Sequence, residues 1–195
     1  LSQFDTNFSS RLAQILEESI AVKKRAAAEH VAVLNQITQT LQKCLAEGHK
    51  ILLFGNGGSA ADSQHIAAEF VSKFFRNRKA LPAIALTTDT SILTSVANDY
   101  SFEDVFARQV EALGQKGDVA IGISTSGNSP NVLKALRLAK QRGLVTIGLT
   151  GEDGGKLPDA VDICFRAPSK STPRIQEVHI TIAHAICEII EEELG

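Results

Sequence analysis

Two short runs in this sequence have the composition to hold an anion without a lysine: Gly55-Asn56-Gly57-Gly58-Ser59 and Ser124-Thr125-Ser126-Gly127-Asn128-Ser129. Glycines let a backbone approach a ligand closely and take up positive φ, and a helix start beyond them offers unpaired N–H groups. In the first run Ser59 stands as a helix N-cap or a hydroxyl donor. That run is neither G-x-G-x-x-G nor a Walker loop, since no Gly-Lys-Ser/Thr follows, and a nucleotide site is therefore disfavoured. In the second run four hydroxyls gather ahead of Pro130, which suits the first position of a helix. Either run alone also reads as a polar turn with a serine cap. Two in one small domain point to a phosphate cradle built from amides and hydroxyls.

His65 and Glu69 stand four residues apart on the stretch after the first run, so they share one helical face. Such a pair is a reasonable half of a zinc site, and it is also a common solvated pair; the position just beyond the glycine run favours the first reading. His184 lies among Ile180, Ile182, Ala183, Ala185 and Ile186, a setting that suits a core histidine as well as a catalyst, and His179 competes for any role given to it.

The elements that must position these residues follow from hydrophobic patterning. Phe8, Leu12, Ile15, Leu16 and Ile20, then Val31, Leu34, Ile37, Leu41 and Leu45, recur at helical spacing, the second set ending at Gly48 as a C′ glycine. These two amphipathic helices precede any strand and are expected on the outside of the domain or against a partner subunit. Apolar runs at Ile51–Phe54, Ala83–Leu86, Val119–Ile123, Val145–Leu149 and Val161–Phe165 lack strict alternation, as strands covered on both faces do. Helices are expected at about 59–77, 101–113, 130–142 and 173–193. The alternation predicts an α/β fold, a doubly wound five-stranded parallel sheet flanked by helices, in a single domain over 1–195, with 1–48 as N-terminal oligomerisation helices and 49–195 as the α/β core. In such sheets the loops at the carboxyl ends of strands bind the ligand.

Composition narrows the partners. The net charge of −2 over 195 residues carries no basic excess, so neither nucleic acid nor an anionic membrane is expected. Cys44, Cys164 and Cys187 are scattered and odd in number, which suits free thiols in a reducing compartment. With no apolar run of membrane-spanning length and no signal-peptide pattern at the start, a cytoplasmic protein is expected.

Taken with Arg174-Ile175-Gln176-Glu177-Val178-His179, the two loops resemble the sugar isomerase (SIS) domain and, within it, the bacterial phosphoheptose isomerases, over nearly the whole chain. The resemblance implies conversion of sedoheptulose 7-phosphate to D-glycero-D-manno-heptose 7-phosphate by a homotetramer with active sites at subunit interfaces. It implies Glu69 as base and His184 as acid, and a zinc ion held by His65, Glu69, Gln176 and His184. Ser59, Ser124, Thr125, Ser126 and Ser129 match phosphate and sugar contacts; Asn56, Gly57, Gly58, Asn98, Asp99 and Gln176 match further substrate contacts, and Asp62 a polar residue near the reacting carbons. Gln176 and His184 are about 12 Å apart along an ideal helix, so both reach one ion only if the helix starts irregularly near Pro173 or long side chains converge.

Two rivals share these loops. One is a non-catalytic SIS-domain scaffold associating with the bacterial replication initiator, which Ala60-Ala61 and the Leu81–Leu86 segment resemble; Glu69 and His184 speak against it. The other is the sensor domain of a transcription regulator, against which the first 48 residues show no recognition helix or basic face.

Overall fold

The alternation of apolar runs and helices resolves into one five-stranded sheet with helices on both faces. The computed structural model describes residues 4–194. Two helices come first, α1 (Phe4–Glu29) and α2 (Val31–Ala46), followed by β1 (Ile51–Gly55), α3 (Gly58–Val71), β2 (Ala83–Ala85) and α4 (Thr90–Asp99). Then come a 3₁₀ turn at Phe102–Asp104, α5 (Ala107–Leu113), β3 (Val119–Ile123) and α6 (Pro130–Gln141). The chain ends with β4 (Val145–Thr150), a 3₁₀ turn at Pro158–Ala160, β5 (Ile163–Arg166) and α7 (Thr172–Leu194). All strand pairs are parallel, in the order β2-β1-β3-β4-β5. The sense in which successive strands are laid across the sheet reverses between β1 and β3, and a crevice at the carboxyl ends of those two strands is where such sheets take ligands. The two polar loops leave from those two strands.

Alternation along each strand divides the core. Ile51, Leu53, Val119, Ile121 and Ile123 face a layer made by α2, α3 and α7, while Leu52, Phe54 and Ala120 face α5 and α6. On the second face Gly122 and Gly148 are register neighbours. A Cβ at Gly122 would lie 2.6 Å from Leu136 Cδ1, so the glycine lets α6 settle directly on the strand.

Several expectations need correction. α2 is not an outlying helix: Ile37, Leu41, Cys44 and Leu45 are buried, and it packs on β1, β5 and α7. Its end is as expected, with Gly48 at φ +82° and its N–H on the Leu45 carbonyl. The helix expected over 59–77 stops at Val71, because the following residues give their N–H groups to a side chain on α7 rather than to the preceding turn. The 101–113 stretch divides into the 3₁₀ turn and α5, and α4 was not expected at all. β5 begins two residues later than expected, since Asp162 is tied by its N–H and carboxylate to Thr146.

Candidate active site

The first loop works through backbone shape. Gly55 ends β1 where a Cβ would sit 2.8 Å from Ser59 Cβ and 2.9 Å from the Ile123 carbonyl, so only glycine brings β1 and β3 this close at the switch point. Gly57 has φ +55° and is the N-cap of α3. Ser59 is therefore not the N-cap: it lies inside the first turn, buried, its N–H on the Asn56 carbonyl. The Asn56 amide exchanges two hydrogen bonds of 2.9 Å with Asn131 at the start of α6. Asn131 is buried and tethers one loop to the other. Sequence reasoning passed over it because a lone asparagine after proline carries no signal of its own.

The second loop folds back on itself. Ser124 Oγ and Ser129 Oγ lie 2.9 Å apart, and Asn128 N–H donates to Ser126 Oγ at 3.2 Å. Gly127 has φ +66°, and a Cβ there would lie 1.8 Å from the Gly154 carbonyl, so the 150–156 loop presses against it. Gly151 N–H on the Thr125 carbonyl and Lys156 N–H on the Gly127 carbonyl complete this support. Pro130 opens α6 as its spacing predicted. Thr125 and Ser126 face an open cavity of about 380 Å³ that Gly151, Ser169, Thr172 and Ile175 also line.

The Arg174–His179 run spends each side chain on joining elements. Arg174 donates to the Ile15 carbonyl of α1 at 3.0 Å, Ile175 packs on Gly151, and His179 Nε2 bonds the Thr150 carbonyl at 3.0 Å. Gln176 lies over Gly58: a Cβ there would meet its Nε2 at 2.5 Å. α7 is helical from Thr172 onward, and Gln176 stays at the loop end of α3.

His65, Glu69 and His184 come together. His65 Nε2 is 3.1 Å from Glu69 Oε1 and 3.4 Å from His184 Nε2, and one donor atom from each residue lies within 4.8 Å of the others. His65 is half exposed and Glu69 is 22% exposed, so the cluster can be reached from solvent. Ligands on a tetrahedral zinc with bonds near 2.0–2.1 Å stand about 3.3 Å apart. Two imidazole nitrogens and a carboxylate oxygen at those separations fit such an ion; the side chain of Gln176, the fourth residue implied as a ligand, lies over Gly58. His179, the competitor of His184, is fully buried in the core instead. One turn before His65, the Asp62 carboxyl is pushed up by burial against the opposing effect of His65, and its Oδ2 is buried without a hydrogen-bond partner. Asn98 and Asp99 end α4 exposed, bonded to each other at 2.8 Å, about 14 Å along the helix from its start at Thr90.

A parallel sheet ordered β2-β1-β3-β4-β5, with lysine-free polar loops on both strands of its switch point, is a doubly wound sheet of the kind a SIS domain has. The family model described as SIS domain matches residues 14–151. A phosphoheptose isomerase of Roseiflexus sp. is 58% identical over 179 residues, covering 92% of this chain and 91% of that one. Solved phosphoheptose isomerases from Neisseria gonorrhoeae (TM-score 0.89, 46% identity, 95% of this chain and 99% of that one) and Francisella tularensis (0.90, 38%, 94% and 97%) share the fold. The chain belongs to the phosphoheptose isomerase family of SIS-domain proteins, and it is an isomerase. The scaffold alternative finds no support in these relatives.

Proposed function

We propose that this chain interconverts sedoheptulose 7-phosphate and D-glycero-D-manno-heptose 7-phosphate through a cis-enediol. The observation that carries the reading is the meeting of Glu69 and His184, from two helices far apart in sequence, of which the one bearing Glu69 opens at the first polar loop. The relatives named as phosphoheptose isomerases supply the sugar.

The phosphate is held by Ser124, Thr125, Ser126 and Ser129 with Ser59, and Asn56, Gly57, Gly58, Asn98, Asp99 and Gln176 serve the sugar hydroxyls and backbone approach. This anchoring fixes the reacting carbons and lowers the entropic cost of the proton transfer. Glu69 Oε1 faces His65, which leaves Oε2 to take the proton from the carbon beside the carbonyl and return it to the neighbouring carbon. His184 exchanges the proton between the two oxygens. His65, Glu69 and His184, with Gln176 as the fourth ligand, would hold zinc, which would polarise the substrate oxygens and stabilise the enediolate.

The expected result for Glu69→Gln is loss of turnover by at least about a thousandfold with sugar-phosphate binding kept within a few-fold, followed by NMR interconversion and calorimetry. Near-normal turnover would overturn the role. The reading includes a homotetramer assembled through α1 within residues 1–48, with α2 and residues 49–195 as one α/β unit. The cytoplasm suits its thiols: burial pushes Cys44 and Cys187 up to about 12, so neither is a nucleophile at neutral pH.

A further inference from the structure

α3 and α7 run side by side with matched rungs: Gln176 over Gly58, then His184 against His65. A third rung lies beyond the end of α3, where two charged side chains, each only 2% exposed, face each other: Arg78 and Glu191. Glu191 is seven residues past His184, two turns along the same face of α7. Its Oε1 accepts from Phe74 N–H at 2.8 Å and Arg78 Nε at 3.0 Å, and its Oε2 accepts from Phe75 N–H at 2.6 Å and Arg76 N–H at 2.9 Å. Burial opposes this charge, but the three backbone N–H groups and Arg78 outweigh it and hold the carboxyl down at about 2.

The remaining donors of Arg78 turn back to the end of α3. Nη2 reaches the Glu69 carbonyl and Nη1 the Phe70 carbonyl, both at 2.8 Å, where the last turn of a helix leaves acceptors free. On the other side, Phe74, whose N–H is held by Glu191, sets its ring 5.7 Å from the His184 ring. One buried ion pair therefore touches the backbone of Glu69 directly and the imidazole of His184 through one aromatic ring. Its partners are backbone groups on one side of the cluster and a ring on the other, so it fixes both helices relative to each other at the point where their side chains must meet.

We infer that Arg78 and Glu191 are positioning residues, a clamp that sets the separation of Glu69 and His184 and with it the competence of the cluster. This rests on the roles given to Glu69 and His184 above. The test uses Arg78→Lys, which keeps the charge and loses the fork, and Glu191→Asp, which keeps the charge and shortens the reach. Each is assayed well below its own melting midpoint, with Leu157→Ala, in the core on the opposite face of the sheet, as a control for lost stability. Outer-shell partners of this kind are worth about ten- to a hundredfold in metal affinity or activity. In both clamp variants the metal-stripped protein is expected to bind added Zn²⁺ about ten- to a hundredfold more weakly, in competition with a chromophoric chelator. Their kcat falls by a similar factor while KM for the sugar phosphate stays within about threefold, and Leu157→Ala lowers the melting midpoint and leaves both readouts in place. Clamp variants that keep wild-type zinc affinity and kcat, or lose them no more than Leu157→Ala does at equal loss of stability, overturn the clamp and leave the isomerase reading standing. Wild-type protein without turnover overturns that reading and the clamp with it.

Discussion

His179 and His184 stand on the same helix, and what surrounds each ring sends them to different work. His184 meets His65 across α3, whereas His179 is sealed between the Thr150 carbonyl and the Phe165 ring. Burial lowers the His179 imidazole to about 4, against the raising effect of its bond to Thr150. An unfolded histidine titrates near 6.5. Between these values the unfolded chain binds a proton that the folded chain refuses, so the stabilisation is complete above pH 6.5 and is lost as the pH falls towards 4. The whole effect is roughly 3 kcal/mol. Urea midpoints are expected to fall over that interval in the wild type, and His179→Gln, which can still donate to the Thr150 carbonyl, is expected to flatten this component. Equal slopes in both proteins would rule the assignment out. The sequence alone left the two histidines as competitors, because apolar neighbours flank both and only the packing partner separates them.

At the scale of elements, the strands and the two polar loops were readable because local chemistry specifies them: apolar runs for a sheet covered on both faces, glycines where positive φ or close approach is required. α4 escaped because Thr90, Ser91, Thr94, Ser95 and Asn98 are weak helix formers; the signal that was present is Asp89, whose side chain caps the Ile92 N–H at 2.9 Å. The overlong α3 failed in the opposite sense. Lys73, Arg76 and Arg78 favour a helix locally, yet the buried carboxylate of Glu191 draws the backbone out of it, a tertiary pairing invisible in a window of sequence. The Asn56–Asn131 exchange is of the same long-range kind, and it makes a prediction. Asn131→Ala leaves the half-buried amide of Asn56 without its partner and lets the two loops drift apart. A stability loss of about 1–2 kcal/mol is expected, with KM for the sugar phosphate raised by about tenfold and kcat changed less. Steady-state kinetics beside a denaturant titration checks this, and an unchanged KM would show that the loops hold their spacing without the pair.

The whole molecule carries an apolar surface that the single chain does not use. Along α1, Phe8, Leu12, Leu16 and Ile20 are 72%, 60%, 56% and 43% exposed, while Ser19 and Ala26 of the same helix are buried. α1 is held to the body from its other side, by Arg174 on the Ile15 carbonyl and by Arg25 on the Pro168 carbonyl at 3.2 Å. The apolar stripe is thus presented outward by a helix whose polar attachments fix its orientation. Burying such side chains fully contributes roughly 1.5–3 kcal/mol each, and a second helix of the same kind supplies a matching stripe, which is why assembly through α1 fits better than a solvated helix. Because Arg174 begins the run that places Gln176 over the first loop, the seating of α1 is coupled to the substrate end of α7. Replacing Leu12 and Leu16 together with glutamate is therefore expected to do two things. Sedimentation should report smaller species for the variant than for the wild type, and KM should rise in the same preparations. Folding of the single chain should persist, since both side chains point away from its core. A double variant that sediments as the wild type does would remove α1 from the assembly interface.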